Sequence, residues 1–296
     1  MTPHIVVLYN YMPKRCNLKE EPAFVAVSQG VMSETLPSEG QLAKSSARML
    51  GKVCLVTGGG TGIGRASALK MAEEGAAAVL IAGRRQSEIE ATAQACEHFG
   101  VEAFALATDV TREVDVERLV ATAIARFGRL DAVFNNAGFQ ERRAPLEAQD
   151  SAVYDTVFDT NVRGVFLCLR HQLPVMFAQG SGRIVVNASV SGFRNPNPGL
   201  SLYSASKAAV LSLVRSAAME AASRGVSINA VAPGRVITDM MLRSGVGDMA
   251  SVAAGLPLWR MGKAEEVAEA VVWLLSDASS YVVGHVLATD GGFLAS

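Results

Sequence analysis

Tyr203 and Lys207 stand four residues apart in the stretch SLYSASKAAV, whose other residues are small or aliphatic. If this stretch is a helix, the two side chains lie on the same face, with Cβ atoms roughly 5–6 Å apart. A tyrosine has an ordinary pKa of about 10, and a neighbouring ammonium group favours the phenolate. The pair could therefore act as an acid and a base, although a surface tyrosine beside a solvated lysine would have the same spacing.

The chain around this pair alternates short apolar runs with longer helical patterns from residue 52 onward. In the stretch 112–128, apolar residues recur at helical spacing, and Gly128 follows as a C-terminal stop. Seven runs predict strands, namely VCLVT, AVLIAG, EAFALATD, LDAVFNNAG, RIVVNAS, SINAVAPG and HVLATDGG. The alternation predicts an α/β fold with a doubly wound, parallel, Rossmann-type sheet in a single domain over residues 49–296. Residues 1–48 are polar and aperiodic, which predicts a poorly ordered N-terminal extension.

A glycine-rich turn, TGGGTGIG over Thr57–Gly64, follows the first predicted strand and leads into a helical pattern. Gly58, Gly62 and Gly64 let the backbone turn tightly and approach a ligand closely. The N terminus of the following helix offers free N–H groups to a pyrophosphate. Glycines can also serve turn formation alone, so phosphate binding rests on the place of this turn after the first strand.

Three motifs, TGxxxGxG, NNAG at 135–138 and YSASK, occur in the order and spacing of one family. With them the chain resembles the short-chain dehydrogenases/reductases over residues 52–292. The resemblance implies an enzyme that transfers hydride between a nicotinamide cofactor and a ketone or secondary alcohol, with 3-oxoacyl and cyclic ketones as candidates. Tyr203 would exchange a proton with the substrate oxygen, and Lys207 would hydrogen-bond the nicotinamide ribose.

Two further catalytic residues, Asn161 and Ser189, are implied by the same resemblance. Ser189 occupies the position of the substrate-binding serine, 14 residues before Tyr203, and Ser191 is the less favoured alternative. Asn161 matches the asparagine that holds a water linking Lys207 to solvent. From the residues alone, Ser189 could cap a strand end and Asn161 could be a kink or a buried hydrogen-bonding group.

The resemblance also implies a set of cofactor contacts. Asp109 would contact the adenine, although it could instead be a helix N-cap, while the Val236 backbone and Thr238 would address the nicotinamide carboxamide. The full set is Thr57, Gly58, Thr61, Gly62, Ile63, Gly64, Arg84, Arg85, Asp109, Val110, Asn136, Ala137, Gly138, Tyr203, Lys207, Pro233, Gly234, Val236 and Thr238.

The choice between NADP and NAD depends on the end of the second predicted strand. An enzyme selective for NAD usually has an acidic residue there, whereas this chain has Gly83 followed by Arg84 and Arg85. Arginine forms charge-assisted bonds to a phosphate, which favours NADP. Against this, Thr61 stands where many NADP enzymes of the family carry a second basic residue, and arginine can stack on adenine without selecting a cofactor. We expect NADP, with Arg84 as the main contact and Arg85 secondary, and NAD as the alternative.

The stretch after Thr238 should recognise the substrate, either as an apolar pocket on a mobile lid or as a helix packed on its own domain. Its large apolar residues are Met240, Met241, Leu242, Leu256, Leu258 and Trp259. Arg142 and Arg143 would lie near the mouth of the site or be solvated.

Two rival functions fit the same fold, because fold alone does not fix function. One is a catalytically silent NAD(P)-binding sensor or scaffold, and the other is a lyase or epimerase. The intact Asn, Ser, Tyr and Lys set argues against the silent protein, and the lack of a long C-terminal substrate domain argues against an epimerase acting on sugar nucleotides.

The amino-acid composition limits the classes of partner that the protein is expected to bind. With 27 basic and 28 acidic residues the net charge is −1, which gives no electrostatic reason to expect nucleic acid or an anionic membrane as partner. Cys16, Cys54, Cys96 and Cys168 are scattered and predict reduced packing residues. No apolar run approaches the ~18 residues of a membrane span. The sequence therefore predicts a cytoplasmic enzyme without a metal site, and the resemblance implies a homodimer or homotetramer.

Overall fold

The structure is a computed structural model that describes residues 47–195, 198–243 and 248–296. These residues form a seven-stranded sheet in the order β3-β2-β1-β4-β5-β6-β7, with every pairing parallel. The strands are β1 Val53–Thr57, β2 Ala78–Gly83, β3 Glu102–Ala107, β4 Ala132–Asn135, β5 Gly182–Asn187, β6 Val226–Pro233 and β7 Val286–Thr289. Each lies within or beside one of the seven predicted runs, so the doubly wound Rossmann-type fold is confirmed.

Helices connect the strands across both faces of the sheet. They are α1 Gly62–Glu73, α2 Gln86–Glu97, α3 Glu113–Phe127, α4 Ser151–Phe158, α5 Gly164–Gln179, α6 Ser201–Ala221, α7 Asp239–Arg243, α8 Met249–Ala254 and α9 Ala264–Leu275. As predicted, α3 stops at Gly128, whose φ of +75° is left-handed. A π-helical turn, Asp159–Arg163, joins α4 to α5. None of the helices in the described ranges has the length and apolar character needed to cross a bilayer.

Two hydrophobic cores lie on opposite faces of the sheet. Cys54 and Val56 of β1 pack with α1, α2 and α9, whereas Leu55 between them packs with α3, α5 and α6. Successive side chains of a strand point to opposite faces, so a strand covered on both faces must be apolar at every position. This is why the strand sequences read as continuous apolar runs rather than as alternating ones.

The order of the strands reverses at β1, which pairs with β2 on one side and with β4 on the other. The connections on the two sides of β1 therefore diverge and open a crevice at the carboxyl ends of the strands. Thr57 lies opposite Asn135 of β4, and Asn135 lies opposite Val186 of β5. The three strand ends are thus level, and the loops that follow them meet at one edge.

The chain enters the described region at Ala47, and Arg48 forms ion pairs with two helices. Its Nη2 lies 2.5 Å from a carboxylate oxygen of Glu74, which follows α1, and 2.6 Å from one of Glu269 in α9. Met49 is fully buried. The expected extension over residues 1–48 falls outside the described residues except for Ala47 and Arg48.

Candidate active site

A cleft of about 950 Å³ opens at the carboxyl edge of the sheet, between the glycine-rich turn, the ends of β2 and β3, and the loop after β4. The predicted cofactor contacts that line it are Gly58, Thr61, Gly62, Ile63, Arg84, Arg85, Asp109, Val110, Asn136, Ala137, Gly138 and Thr238. The predicted contacts outside its lining are Thr57, Gly64, Tyr203, Lys207, Pro233, Gly234 and Val236. Most of the predicted set is therefore gathered around one cavity at the point where the strand order reverses.

The glycine-rich turn is shaped to receive an anion. A β-carbon added at Gly64 would collide with the carbonyl oxygen of Gly58 and the side-chain nitrogen of Asn136, so only glycine fits there. At the start of α1, the N-cap Thr61 makes no side-chain capping bond and the first turn has no acidic residue. The N–H groups at this helix end remain available to a pyrophosphate. The turn therefore fits a dinucleotide cofactor.

A chain of hydrogen bonds joins Lys207 to this turn across the ends of β5, β4 and β1. Lys207 Nζ donates to the carbonyl oxygen of Asn187 at 2.7 Å, and Asn187 Nδ2 donates to Asn136 Oδ1 at 2.9 Å. Asn136 Nδ2 in turn donates to the carbonyl oxygens of Thr57 and Gly58 at 3.1 and 3.0 Å. These bonds fix the ammonium group relative to the glycine-rich turn.

Tyr203 and Lys207 share a face of α6, as their spacing predicts, with Lys207 Nζ 5.6 Å from the centroid of the Tyr203 ring. The lysine is only 3% exposed. Burial lowers the pKa of Lys207 to about 8, because a charged ammonium loses its hydration inside the protein. Lys207 is therefore mostly protonated at neutral pH but close to its titration range.

The pKa of Tyr203 lies above its ordinary value, mainly because the phenol is buried. The polar side chain of Ser189 and the charge of Arg235 lower this pKa, whereas the charge of Glu141 raises it further. Desolvation of the charged form sets the direction of the shift, which is opposite to the sequence argument that the Lys207 ammonium favours the phenolate. In this structure the protonated phenol is the favoured form.

Ser189 lies just beyond β5 and is buried, and its side chain lowers the pKa of the Tyr203 phenol. Its Oγ also accepts a hydrogen bond from the backbone N–H of Ser191 at 3.1 Å. Ser189 therefore caps the end of the strand and also lies beside the tyrosine, so both predicted roles describe it. Ser191 contacts Ser189 through its backbone N–H, and of the two serines Ser189 is the one whose side chain affects the pKa of Tyr203.

Asn161 lies in the π-helical turn and is fully buried. Its Oδ1 accepts from Phe139 N at 2.7 Å, and its Nδ2 donates to Phe139 O at 2.8 Å and to Ser206 Oγ at 2.9 Å. Ser206 belongs to α6, between Tyr203 and Lys207. Asn161 therefore ties the loop after β4 to the helix that carries the tyrosine and the lysine. Such π-helical turns are frequent at functional sites.

Asp109 closes a turn beside the cleft. Its Oδ1 accepts hydrogen bonds from the backbone N–H and the hydroxyl of Thr111 at 3.0 and 2.8 Å. The N-cap of α3 is Arg112, so Asp109 caps the preceding turn and not the helix itself. Asp109 and Val110 both face the cleft from this turn.

The segment after β6 runs beside the glycine-rich turn. Val236 is buried and forms an isolated parallel bridge with Gly262. Thr238 lines the cleft, and its methyl group would lie 3.2 Å from a β-carbon added at Gly62. The segment thus brings Thr238 to the cleft, while Pro233, Gly234 and Val236 support it from outside the lining.

The two arginines after β2 differ in their surroundings. Arg85 Nη2 lies 2.6 Å from Glu88 Oε2, an ion pair between the N-cap residue of α2 and its first turn. Arg84 also lines the cleft, and within the described ranges its guanidinium makes neither a hydrogen bond nor an ion pair. Arg84 is therefore the basic group left available to an anion at this end of the cleft.

The apolar residues after Thr238 divide into three groups. Met240 lines the cleft. Met241 and Leu256 are buried with Met261 in a small separate core, as expected of a helix packed on its own domain. The remaining three are exposed and lie outside the lining of the cleft, namely Leu242, Leu258 and Trp259.

Three residues that the sequence argument passed over belong to the site. Asn187 ends an apolar strand run, as Asn135 does in the NNAG motif, and this similarity was a usable signal. Ser206 lies inside YSASK but has no signal of its own. Glu141 is 1% exposed, and its Oε1 accepts a hydrogen bond from Tyr203 N at 3.1 Å. A carboxylate in a polar stretch, beside two arginines, gives no sign of burial.

The three cysteines in the described ranges lie outside the lining of the cleft. Cys54, Cys96 and Cys168 are free and buried, and burial raises the pKa of the latter two to about 12. These thiols are packing residues, and Cys16 lies outside the described residues. Within residues 47–195, 198–243 and 248–296, His, Cys, Asp and Glu side chains form no group of three that could hold a metal ion.

The sheet, the glycine-rich turn and the cluster of Ser189, Tyr203 and Lys207 are the features of a nicotinamide-dependent oxidoreductase. Comparison with known proteins makes the assignment specific. A family model described as enoyl-(acyl carrier protein) reductase matches residues 58–294. The chain belongs to the short-chain dehydrogenases/reductases.

Characterised relatives and solved structures agree. The chain is 43% identical to cis-4-hydroxycyclohexanecarboxylate dehydrogenase of Sinomonas cyclohexanicum, over 82% of this chain and 97% of that protein. It is 38% identical to the A-factor type gamma-butyrolactone 1'-reductase (1S-forming) of Streptomyces virginiae, over 82% and 95%. The crystal structure of levodione reductase superposes with a TM-score of 0.81 at 38% identity, over 84% and 100%.

These findings establish the reaction type. The protein is an oxidoreductase that transfers hydride between a nicotinamide cofactor and a small-molecule ketone or secondary alcohol. The comparisons lend no support to a catalytically silent sensor or scaffold.

Proposed function

We propose that the protein reversibly reduces a ring ketone to a secondary alcohol with NADP, and that Tyr203 transfers the proton. The observation that carries the proposal is the placement of Tyr203 one helical turn from the buried Lys207, with Lys207 Nζ 5.6 Å from the centroid of the tyrosine ring, beside the buried Ser189. The bound nicotinamide supplies or accepts the hydride. Ser189 orients the substrate oxygen, and Tyr203 donates a proton to it during reduction and removes one during oxidation.

The raised pKa of Tyr203 suits the reduction, because the phenol must be protonated to act as an acid. Lys207 has one donor fixed on the Asn187 carbonyl and two more that can reach a ribose hydroxyl. In the oxidation its ammonium opposes the cost of forming a buried phenolate. One residue pair thus serves both directions.

We propose that Asn161 retains the water-holding role in addition to its positioning role. Its Oδ1 accepts one hydrogen bond, from Phe139 N, and a carbonyl oxygen can accept two. A β-carbon at Gly138 would lie 3.4 Å from this oxygen and 3.6 Å from Lys207 Nζ. Glycine leaves this space open, so a water there could join the two groups.

The proposal of a ring substrate rests on the relatives. The first relative's name states a ring that carries a secondary alcohol, the group that this chemistry oxidises. A 3-oxoacyl substrate is the second candidate, because relatives at 38% identity are named 3-oxoacyl-[acyl-carrier-protein] reductases. Initial rates of NADPH oxidation with ring ketones and 3-oxoacyl thioesters, run side by side, separate them. Turnover of the thioesters alone would contradict the ring substrate.

The preference for NADP rests on Arg84. Its guanidinium is unengaged within the described ranges, whereas the charge of Arg85 is largely balanced by Glu88. A 2′-phosphate carries a charge of roughly −1.5 to −2 at neutral pH and forms charge-assisted bonds with arginine. Arg84 is thus the main contact and Arg85 a secondary one.

Substitution at the end of β2 tests this preference. The double variant Gly83→Asp, Arg84→Gln should use NADP far less well than the parent, whereas its use of NAD should change much less. The reason is that the two substitutions remove an attractive charge and add a repulsive one. The measurement is kcat/KM for both cofactors in the parent and the double variant. A parent that already prefers NAD would refute the assignment.

We also propose a cytoplasmic homodimer or homotetramer whose catalytic domain spans residues 49–296. Buried free thiols suit a reducing compartment. Exposed apolar side chains on α5 and α6, Phe166 and Met219, suit contacts between copies. Light scattering after size-exclusion chromatography measures the mass, and a monomer at micromolar concentration would contradict the oligomer.

A further inference from the structure

Two arginines lie on segments that leave the carboxyl edge of the sheet next to the candidate active site. Arg143 belongs to the loop after β4, and Arg235 to the segment after β6. Glu141, two positions before Arg143, is bound to Tyr203 N, and β6, which precedes Arg235, pairs with β5, which precedes Ser189. Both are half-buried. In the part of the chain that the structure describes, neither forms an ion pair with a carboxylate, and the Nε of Arg143 is buried without a hydrogen-bond partner.

Arg235 interacts electrostatically with both Arg143 and Tyr203. The pKa of Arg235 lies below its ordinary value because of burial and the like charge of Arg143, and Tyr203 opposes this shift. Arg143 is anchored, since its Nη1 donates to the carbonyl oxygen of Pro198 at 3.3 Å and Ala144 N donates to that of Gly199 at 3.1 Å. This anchoring holds Arg143 against the segment that leads into α6.

Glu141 is the carboxylate nearest to this pair, but it does not neutralise it. One of its oxygens is bound to Tyr203 N, the other is buried without a hydrogen-bond partner, and neither forms an ion pair among the described residues. The two guanidinium groups and this one carboxylate carry a net charge of +1 in a half-buried place, not counting the Lys207 ammonium beside Tyr203. Like charges held away from water are unfavourable unless an anion joins them.

We propose that Arg143 and Arg235 bind a carboxylate of the substrate while its reacting carbon lies at Tyr203. The proposal deepens the proposed function and rests on it. Guanidinium groups match a carboxylate with paired N–H donors, and one monoanion would neutralise the excess charge. The orphan Nε of Arg143 and the unengaged Arg235 are the donors for it. The substrate class is accordingly a ring ketone or ring alcohol that carries a carboxylate.

Selectivity between matched substrates tests the proposal. The pair is 4-oxocyclohexanecarboxylate and its neutral carboxamide, each measured as kcat/KM with NADPH. In the parent we expect the acid to be preferred by about 10- to 100-fold, which corresponds to one or two charge-assisted hydrogen bonds. Arg235→Gln and Arg143→Gln should each lower this ratio about tenfold or more, and Arg235→Lys should restore part of it. Arg215→Gln, an exposed position on α6, is the control with the same change of charge and should keep the parent's ratio.

Binding of cyclohexanecarboxylate to the enzyme with NADP, measured by calorimetry, separates the two proposals. Turnover of both ketones at equal kcat/KM in the parent, or a ratio unchanged in both glutamine variants, would overturn the carboxylate site and leave the ketone reaction standing. Binding that is lost in Arg235→Gln, without turnover of either ketone, would support the site and overturn the ring-ketone reaction. Neither binding nor turnover would overturn both.

Discussion

Lys207 is a charged side chain that the candidate site keeps buried, although burial makes the charged form less favourable. Its ammonium is buried with a hydrogen bond to Asn187, and burial lowers its pKa to about 8 from an ordinary 10.5. A buried charge without an opposite charge costs stability. Catalytic residues often carry such a cost, because function requires the group where packing would exclude it.

The cost of burying Lys207 has a measurable pH dependence. The pKa of Lys207 is lower in the folded protein, so the unfolded chain holds this proton more tightly. The contribution of Lys207 to the free energy of unfolding, measured as the difference between the parent and Lys207→Met, should therefore increase as the pH rises from about 8 to 10.5, while the buried thiols act in the opposite direction in both proteins. Lys207→Met lacks the buried charge and should be more stable than the parent at pH 7 by about 1–3 kcal/mol. Urea unfolding at pH 7 and pH 10 measures both effects. A variant less stable than the parent at pH 7 would contradict the account.

At the scale of elements, the first turn of α1 meets the glycine-rich turn and the loop after β4 without space between them. Alanine normally stabilises a helix by about 1 kcal/mol over glycine. At Gly64 its β-carbon would collide with Gly58 and Asn136, so the elements must separate. The glycine-rich turn would then move, and so would Asn136, which holds the side chain of Asn187.

We therefore predict that Gly64→Ala destabilises the protein by about 1–3 kcal/mol and weakens NADP binding about tenfold or more. The matched control is Gly255→Ala after α8, where the nearest heavy atom to the new β-carbon is 3.6 Å away and φ is negative. It should change stability by less than about 0.5 kcal/mol. Thermal unfolding and NADP titration measure both variants. Parent-like affinity in Gly64→Ala would show that the contact is not close.

The strands could be predicted from the sequence, because a parallel strand that is buried on both faces consists of a continuous run of apolar residues. The residues at which the strands end could not be predicted. The run LDAVFNNAG extends beyond β4, yet the strand stops at Asn135 because the N–H of Asn136 donates to the Thr57 hydroxyl instead of to a neighbouring strand. That bond joins residues 79 positions apart, and no local pattern encodes it.

Some residues of the candidate site could also be predicted from the sequence, and others could not. Residues within motifs, such as Tyr203 and Lys207, were named from their spacing, and the structure brings them together. Glu141 and Asn187 were missed because their roles depend on contacts with α6, which lies 62 and 20 residues along the chain. The pKa of Tyr203 was expected in the wrong direction, since sequence shows the neighbouring charge but not the burial.

At the scale of the whole molecule, the start of the described region is joined to the last helix. Arg48 pairs with Glu74 and Glu269, and Lys70 lies 3.2 and 2.8 Å from the same two carboxylates. These pairs hold the pKa of Glu74 at about 2, mainly through the hydrogen bond from Arg48. The four side chains connect α1 and the segment that precedes β1 to α9.

Two shortened chains test where the folded unit begins. A chain that starts at Ala47 should match the full chain in melting temperature and activity, because residues 1–46 show no core-forming period. A chain that starts at Met49 should lose about 1–2 kcal/mol of stability, because Glu74 loses its main partner. Equal melting temperatures for the two would show that the Arg48 pairs add nothing, and a large loss in the first would place essential structure before residue 47.

Proton transfer by Tyr203 is the centre of the account, and the variant Tyr203→Phe tests it most directly. It removes the hydroxyl and keeps the ring, so the cleft that receives the cofactor stays intact. The measurement is kcat for ketone reduction with NADPH, together with the Kd of NADP for the same preparations. We predict a fall in kcat of roughly 10² or more with an unchanged Kd. Turnover close to that of the parent would contradict the assignment of Tyr203 as the proton-transfer group.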